Sequence, residues 1–187
     1  MAVPANMTTL DLSGKYNQNK TLSNNTDIIL SKQGVSYFVR MGINMGTLAV
    51  IVKHEHSSDG AETLAVDQSL SGGLGRTSQA RTLDWEPRDT DSKFFGKTTI
   101  RTKRATIDDL ENAWLREGWV EEACANGLIL DSVQSEPKDG KTWCTDIVWG
   151  IEEIDGERRY TRHIAFTGPD GKETNARIVY DYLGPLN

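Results

Sequence analysis

With 187 residues, 26% charged and 37% hydrophobic, the chain has the make-up of a globular protein large enough to bury a core or enclose a cavity. Its formal net charge of −6 argues against a nucleic-acid partner, whose phosphates would be repelled. No apolar run approaches the roughly 18 residues that would span a bilayer, and the opening MAVPANMTTL carries neither the basic region nor the apolar core of a secretion signal.

The first strand is expected around SGKYNQNK. Ser23 to Thr26 then offer several N-cap residues, Asp27 suits a first helical turn, and Gly34 makes a stop. VSYFVRMG follows as a second short helix, with Val35, Phe38 and Val39 at helical spacing and Gly42 near its end. A helix-turn-helix therefore separates the first strand from the second. TLAVIVKHEH (47–56) and TLAVDQSL (63–70) alternate as strands, the first with Val50, Val52, His54 and His56 on one face. SGGLGRTS (71–78) is glycine-rich, lacks the lysine of a phosphate loop and reads as a loop between strands. RTLDWE (81–86) and FFGKTTIRTKR (94–104) add at least two more strands.

ATIDDLENAWLREGW breaks the alternation. Thr106 opens a capping-box-like T-x-x-D, and Ile107, Leu110, Trp114 and Leu115 form an apolar stripe, which predicts an inserted helix near 106–118 packed on the outside or across one end of the sheet. KTWCTDIVWGIEEI (141–154) puts Trp143, Ile147, Trp149 and Ile151 on one face. GERRYTRHIAF (156–166) puts Arg158, Tyr160, Arg162, Ile164 and Phe166 on one face, with Arg159 and His163 opposite. NARIVYDY (175–182) puts Ile178, Tyr180 and Tyr182 together, with Arg177 and Asp181 opposite. Asp-Gly recurs at 59–60, 139–140, 155–156 and 170–171; it supplies the positive φ of two-residue hairpin turns, so the pairs mark reversals of an antiparallel meander. No linker divides the chain, and one domain is expected over 1–187.

Strand, two short helices and a long antiparallel meander is a layout that resembles the intracellular lipid-binding proteins of the calycin (lipocalin-like) group. SGKY (13–16) is similar to that family's opening G-x-W or G-x-Y element, and NNTDIILSKQGVSYFVRMG (24–42) to its helix region, where a glycine-valine pair (Gly34-Val35) links the helices and an arginine (Arg40) follows. The chain also resembles fungal lipocalin-like proteins of this length. The resemblance covers residues 10–104 and 128–183 and implies an all-β, up-and-down barrel of the fatty-acid-binding-protein kind. It departs at Tyr16 in place of tryptophan, at the extra 105–127 segment, and in the last strand, where Arg177 and Tyr180 fall on opposite faces and do not form the family's carboxylate clamp.

A barrel of roughly 8 to 10 strands encloses one small ligand. Arg162, on the apolar face of its strand, is then the residue to explain, since an unpaired charge is costly to bury. Three accounts stand open: the face is misread and Arg162 meets solvent; it pairs with Glu153 or another inward carboxylate; or it meets a ligand's carboxylate, enolate or carbonyl oxygen through its planar fork, with Tyr160 as a second hydrogen-bonding group. Trp143, Trp149, Tyr160, Tyr180 and Tyr182 either line such a pocket or fill a core. His54 and Phe38 join them as candidate ligand-binding residues. His54 and His56 have H-x-H spacing without an evident third ligand, so no metal is expected, and His163 reads as exterior and structural. No G-x-S-x-G, H-E-x-x-H or Cys-His nucleophile pair occurs, and no cofactor is expected. Cys124 and Cys144, without C-x-x-C spacing, suggest free thiols and a cytoplasmic location. Two functions follow: a barrel that binds one small hydrophobic molecule, or a cofactor-independent isomerase or cyclase of the pericyclase type acting on a small molecule in a fungal secondary-metabolite pathway. Neither catalytic residues nor oligomeric state can be assigned from the sequence.

Overall fold

The computed structural model describes residues 1–187 except Leu74, Asp139, Gly140 and Asn187. Ten antiparallel strands are described: β1 (Gly14–Gln18), β2 (Leu48–His56), β3 (Glu62–Leu70), β4 (Gly75–Thr82), β5 (Arg88–Ser92), β6 (Gly96–Ala105), β7 (Leu128–Ser135), β8 (Cys144–Ile154), β9 (Glu157–Thr167) and β10 (Glu173–Gly184). They form one sheet in the order β4-β3-β2-β1-β10-β9-β8-β7-β6-β5. The last strand pairs with the first, so the meander curls into a barrel of the fatty-acid-binding-protein type. Among the described residues no ladder joins β4 to β5, and these two edges carry charged and polar residues such as Arg76, Arg88, Asp89 and Asp91.

The helix-turn-helix lies where the sequence put it, as α1 (Asp27–Lys32) and α2 (Tyr37–Met45). Gly34 has φ +86°, the left-handed conformation the tight connection needs. Arg40 then ties the two helices together, its Nε donating to Asp27 Oδ1 at 3.0 Å and its Nη1 to the Val35 carbonyl at 3.1 Å. Three of the Asp-Gly pairs are turns with positive φ at glycine, and at 155–156 both residues have it. The fourth pair, 139–140, lies outside the described residues.

Other segments differ from expectation for local reasons. The strand placed at 81–86 ends at Thr82, because Asp84 turns the chain: its carboxylate accepts the Glu86 amide at 3.0 Å and both Arg88 Nη groups at 2.7 and 2.6 Å. The glycine-rich loop is shorter than expected, a turn at Ser71–Gly73, and β4 begins at Gly75. β5 and β7 have no counterpart in the strands read by alternation. The inserted helix near 106–118 is realised as two 3₁₀ turns, Ile107–Asp109 and Ala113–Arg116, followed by α3 (Glu121–Asn126). Thr106 does bond Asp109 as the T-x-x-D spacing implied, through its amide at 2.7 Å and its hydroxyl at 2.8 Å. Asn112 then starts a new turn by accepting the Trp114 amide at 2.9 Å, which cuts the helix short.

Apolar residues gather in distinct places. One cluster, with Val3, Leu12, Tyr16, Val52, Leu64 and Tyr160, packs one end of the barrel interior beneath the N-terminal residues. Gly14 is required there, since a Cβ would sit 2.6 Å from the Tyr182 ring. A second cluster, with Leu110, Leu115, Trp119, Leu128 and Val148, lies outside the barrel, where the 106–127 segment straps across β7, β8 and β9. Val120 and Trp119 join the strap to β8 by backbone pairing with Ile151 and Glu152. Cys124 and Cys144 are free thiols, and no described helix is long and apolar enough to cross a membrane.

Candidate functional site: a cavity with a charged floor

The other end of the barrel interior is open. A cavity of about 520 Å³ lies beneath α1 and α2, within the roughly 300–1,000 Å³ of small-molecule sites. Ile29, Leu30, Val35 and Phe38 roof it, and Phe94 and Phe95 of the β5–β6 turn stand at its edge. One wall is apolar, from Trp143, Ile147, Ile164 and Ile178 on β8 to β10 and the segment before them. The facing wall is polar, from Gln68, Thr77, Gln79, Thr90 and Thr98 on β3 to β6. The floor holds Arg81, Asp131, Trp149, Arg162 and Tyr180.

Alternation along β9 sends Arg162 inward, against Trp149 on β8 and Ile178 on β10 in register. It is only 8% exposed. Its Nε donates to the Tyr160 hydroxyl at 2.7 Å, and its Cζ lies 3.9 Å from the Trp149 ring centroid and 5.2 Å from that of Tyr180. A desolvated cation–π contact of this kind stabilises by about 2 kcal/mol. Nη2 is buried with no hydrogen-bond partner. Burial works against the charge, yet the tyrosine oxygens of Tyr160 and Tyr180 and the Asp131 carboxylate more than offset it, holding the Arg162 pKa above the usual arginine value. Burial also raises the pKa of Tyr160 and of Tyr180, so both phenols stay protonated near neutral pH. Of the three accounts of Arg162, solvent exposure is excluded because the arginine is inside, and pairing with Glu153 because Glu153 is exposed; the inward carboxylate on the floor, Asp131, is paired with Arg81 instead.

The structure adds two floor residues that the sequence reading did not single out. Arg81 on β4 donates through Nε to Asp131 Oδ2 at 2.6 Å and through Nη2 to Gln79 at 2.9 Å. Asp131 on β7 is fully buried and also accepts from Thr102 at 2.6 Å. Arg81 stacks on the same indole as Arg162, its Cζ 5.3 Å from the Trp149 centroid, and its Nη1 is buried without a partner. Signals were present for both. Asp131 interrupts the apolar run LIL-D-SV, and Arg81 shares a face with Thr77 and Gln79 once β4 is allowed to begin before Arg81.

Of the eight candidate ligand-binding residues, Arg162, Trp149, Trp143, Tyr180 and Phe38 line the cavity. Tyr160 does not; it lies in the packed cluster behind Arg162. Tyr182 packs instead on Tyr16, ring centroids 5.5 Å apart, because the inward face of β10 passes from the cavity to the packed end between Tyr180 and Tyr182. His54 is likewise at the packed end, accepting the Leu12 amide on Nδ1 at 3.3 Å and lying with Nε2 2.8 Å from Glu62.

His54, His56 and Glu62 have ligand atoms within 4.8 Å of one another. Each is already engaged by the protein: His56 Nε2 lies 3.0 Å from the Leu10 carbonyl, and Arg104 clasps both Glu62 oxygens. A cation would have to displace Arg104 from Glu62 and break the contact of His56 with the Leu10 carbonyl.

His163 faces outward as expected but is not exposed. The strap covers it, leaving 1% accessible. Its Nε2 lies 2.6 Å from Glu152 Oε1 and its Nδ1 3.2 Å from the Trp114 carbonyl, with the ring between the indoles of Trp114 and Trp119. Arg177, also outside, comes within 3.5 Å of Glu152, while Tyr180 points in, so the last strand forms no clamp.

A curled ten-strand meander with a helical roof over a cavity defines a calycin-like barrel of the fatty-acid-binding-protein type. No protein-family model matches the chain. It is 29% identical to "Probable pericyclase scpY" of Mollisia scopiformis over 98% of this chain and 96% of the relative. It is 28% identical to "Pericyclase pydY" of Acremonium sp. over 99% of this chain and 98% of the relative. Among solved structures it is similar to Echinococcus granulosus fatty-acid-binding protein 1, with a TM-score of 0.56 at 16% identity, covering 92% of this chain and 98% of that one.

Proposed function

We propose that the protein is a cofactor-independent cyclase of the pericyclase type, folding one flexible, largely apolar small molecule inside the barrel. The observation that carries the reading is the cavity floor, where rigidly held arginine donors are left unpaired beneath apolar walls. The end-to-end likeness to two proteins named as pericyclases supports it. A pericyclic ring closure exchanges π bonds for σ bonds within one molecule, so no atom, electron or proton leaves. The protein has two tasks. Its walls hold the reacting termini close, converting a rare conformation into the bound one. Arg162, oriented by Tyr160 and Trp149, donates to a carbonyl oxygen conjugated with the reacting π system and stabilises the charge that grows there.

Reactant and product are isomers, which fixes the test. Disrupting the gene in the source organism is expected to accumulate an acyclic compound of the same mass as the lost product. Purified protein is expected to convert that compound without added cofactor and in the presence of a chelator. Recovery of the unchanged compound, bound one to one, would instead establish the second reading, a carrier, which the cavity supports by itself. Absence of any isobaric compound would remove the cyclase reading.

A further inference from the structure

The strongest unexplained feature of the cavity is its charge balance. Among the described residues that line it, three are ionised: Arg81, Asp131 and Arg162. Asp131 is paired with Arg81 at 2.6 Å and takes its second hydrogen bond from Thr102. Arg162 is more than nine-tenths buried, and among the described residues no carboxylate lies within ion-pair distance of it; its polar partner there is the neutral hydroxyl of Tyr160. The floor of an otherwise uncharged cavity therefore carries one net positive charge, with an unpaired N–H group on each of two guanidiniums stacked on the same indole. A charge so placed is costly without a counter-ion, and an arginine fork is suited to two oxygens in one plane.

We infer that the molecule taken by this cavity is a monoanion with two coplanar oxygens, a carboxylate or the enolate of an acidic β-dicarbonyl, seated on Arg162 and flanked by Arg81. The inference rests on the cavity being the binding site proposed above and adds the charge class of what binds. The polar wall of Gln68, Thr77 and Gln79 adjoins Arg81, so the anionic head lies deep on that side and the apolar remainder runs along Trp143 and Ile164 toward the roof.

The test is a calorimetric titration of the purified protein at neutral pH with three probes of one chain length: myristate, methyl myristate, and a 2-acylcyclohexane-1,3-dione bearing the corresponding acyl group, which is acidic enough to be the enolate at that pH. Both anions are expected to bind at least ~10-fold more tightly than the ester, the range expected of a charge-assisted hydrogen bond. Whichever anion binds more tightly identifies the head group as carboxylate or enolate. Arg162→Gln, with its fold checked by circular dichroism, is expected to level the three affinities. Should Arg162→Gln not fold, Arg162→Lys keeps the charge and is expected to keep the preference at lower affinity. An ester that binds as well as the acid, a preference that survives Arg162→Gln, or no binding by any probe overturns the inference. Conversion of the acyclic compound by a protein without anion preference would leave the cyclase reading standing, and anion preference without conversion would do the reverse.

Discussion

Arg162 and His163 are neighbours in sequence, both buried polar groups on one strand, and the barrel wall separates them. On the outer face His163 is met at both nitrogens, packed between two indoles and sealed by the strap. On the inner face Arg162 has, among the described residues, one polar partner, an indole beneath it and an unpaired Nη2 on the cavity floor. The outer group is satisfied by the protein itself, as buried polar groups in a stable fold are. The inner one is left with binding capacity in hand, the condition expected of a site. The difference between structure and function along β9 is therefore one of completed partners, since burial is nearly the same on both sides.

The comparison breaks most visibly on the outer face. His163→Ala leaves the 2%-exposed Glu152 carboxylate with only the 3.5 Å contact to Arg177, and losing one partner of a buried pair costs about 3–5 kcal/mol. Urea denaturation is expected to show that loss, with ligand affinity unchanged in the protein that remains folded. Removing both partners, His163→Leu with Glu152→Leu, is expected to recover much of it, because no unpaired charge is then left inside. A loss under about 1 kcal/mol for His163→Ala would show that the strap does not depend on this pair.

On the inner face the expected outcome is opposite in kind. Arg162→Leu removes a buried charge that has no carboxylate, so stability is expected to hold or rise, while affinity for a polar-headed apolar ligand falls by ~10-fold or more. Tryptophan emission reports the titration, since Trp149 touches the arginine. Unchanged affinity in a folded Arg162→Leu protein would remove Arg162 from the site.

The same division governs how much was legible in the sequence. Strands with one apolar and one polar face, β2, β8, β9 and β10, could be read by alternation, and with them the inward placement of Arg162. β4 and β5 could not, because their inward side chains are Thr77, Gln79, Arg81 and Thr90; a cavity wall that is polar looks like a loop to a method that seeks apolar stripes. Arg81 was hidden for that reason, and Asp131 because its partner was. The strap misled for another reason. Its apolar stripe is real, but Asn112 caps a second turn inside it, so short 3₁₀ turns replace one helix. His54 and Tyr182 were placed on the correct face but at the wrong depth. Alternation gives the face of a strand and says nothing about where along it a cavity ends and a packed core begins.

A smaller effect sharpens the outer half of the comparison. Thr106 bonds Asp109 through both its amide and its hydroxyl, and this bonding with Lys103 draws the Asp109 carboxyl down to about 2. Thr106→Ala removes an exposed hydroxyl that donates to the Asp109 carboxylate, and is expected to lower stability only slightly and to leave the cavity untouched. A change in ligand affinity in that variant would mean that the strap communicates with the inner face.

The smallest effect near neutrality sits at the packed end. Burial lowers the His54 pKa below the usual 6.5, with the Glu62 hydrogen bond pulling the other way. The folded state therefore favours the neutral ring, and the unfolded chain takes up the proton first as pH drops. Stability from this group is complete above about pH 6.5 and declines as pH falls toward the folded value. Burial raises the Glu62 pKa, but hydrogen bonds from Arg104 and His54 outweigh it and leave it lowered, so its contribution persists above the usual carboxylate range and is lost only at lower pH. Denaturation midpoints measured from pH 8 downward are expected to fall in the first window for the native protein and to stay flat there in His54→Gln. Ligand affinity should not follow this curve, because His54 lies at the packed end and Arg162 keeps its charge throughout. An identical slope in both proteins would take His54 out of the account. An affinity that tracks the slope would show that the packed end and the cavity act as one unit, and that the partition seen along β9 does not extend down the barrel.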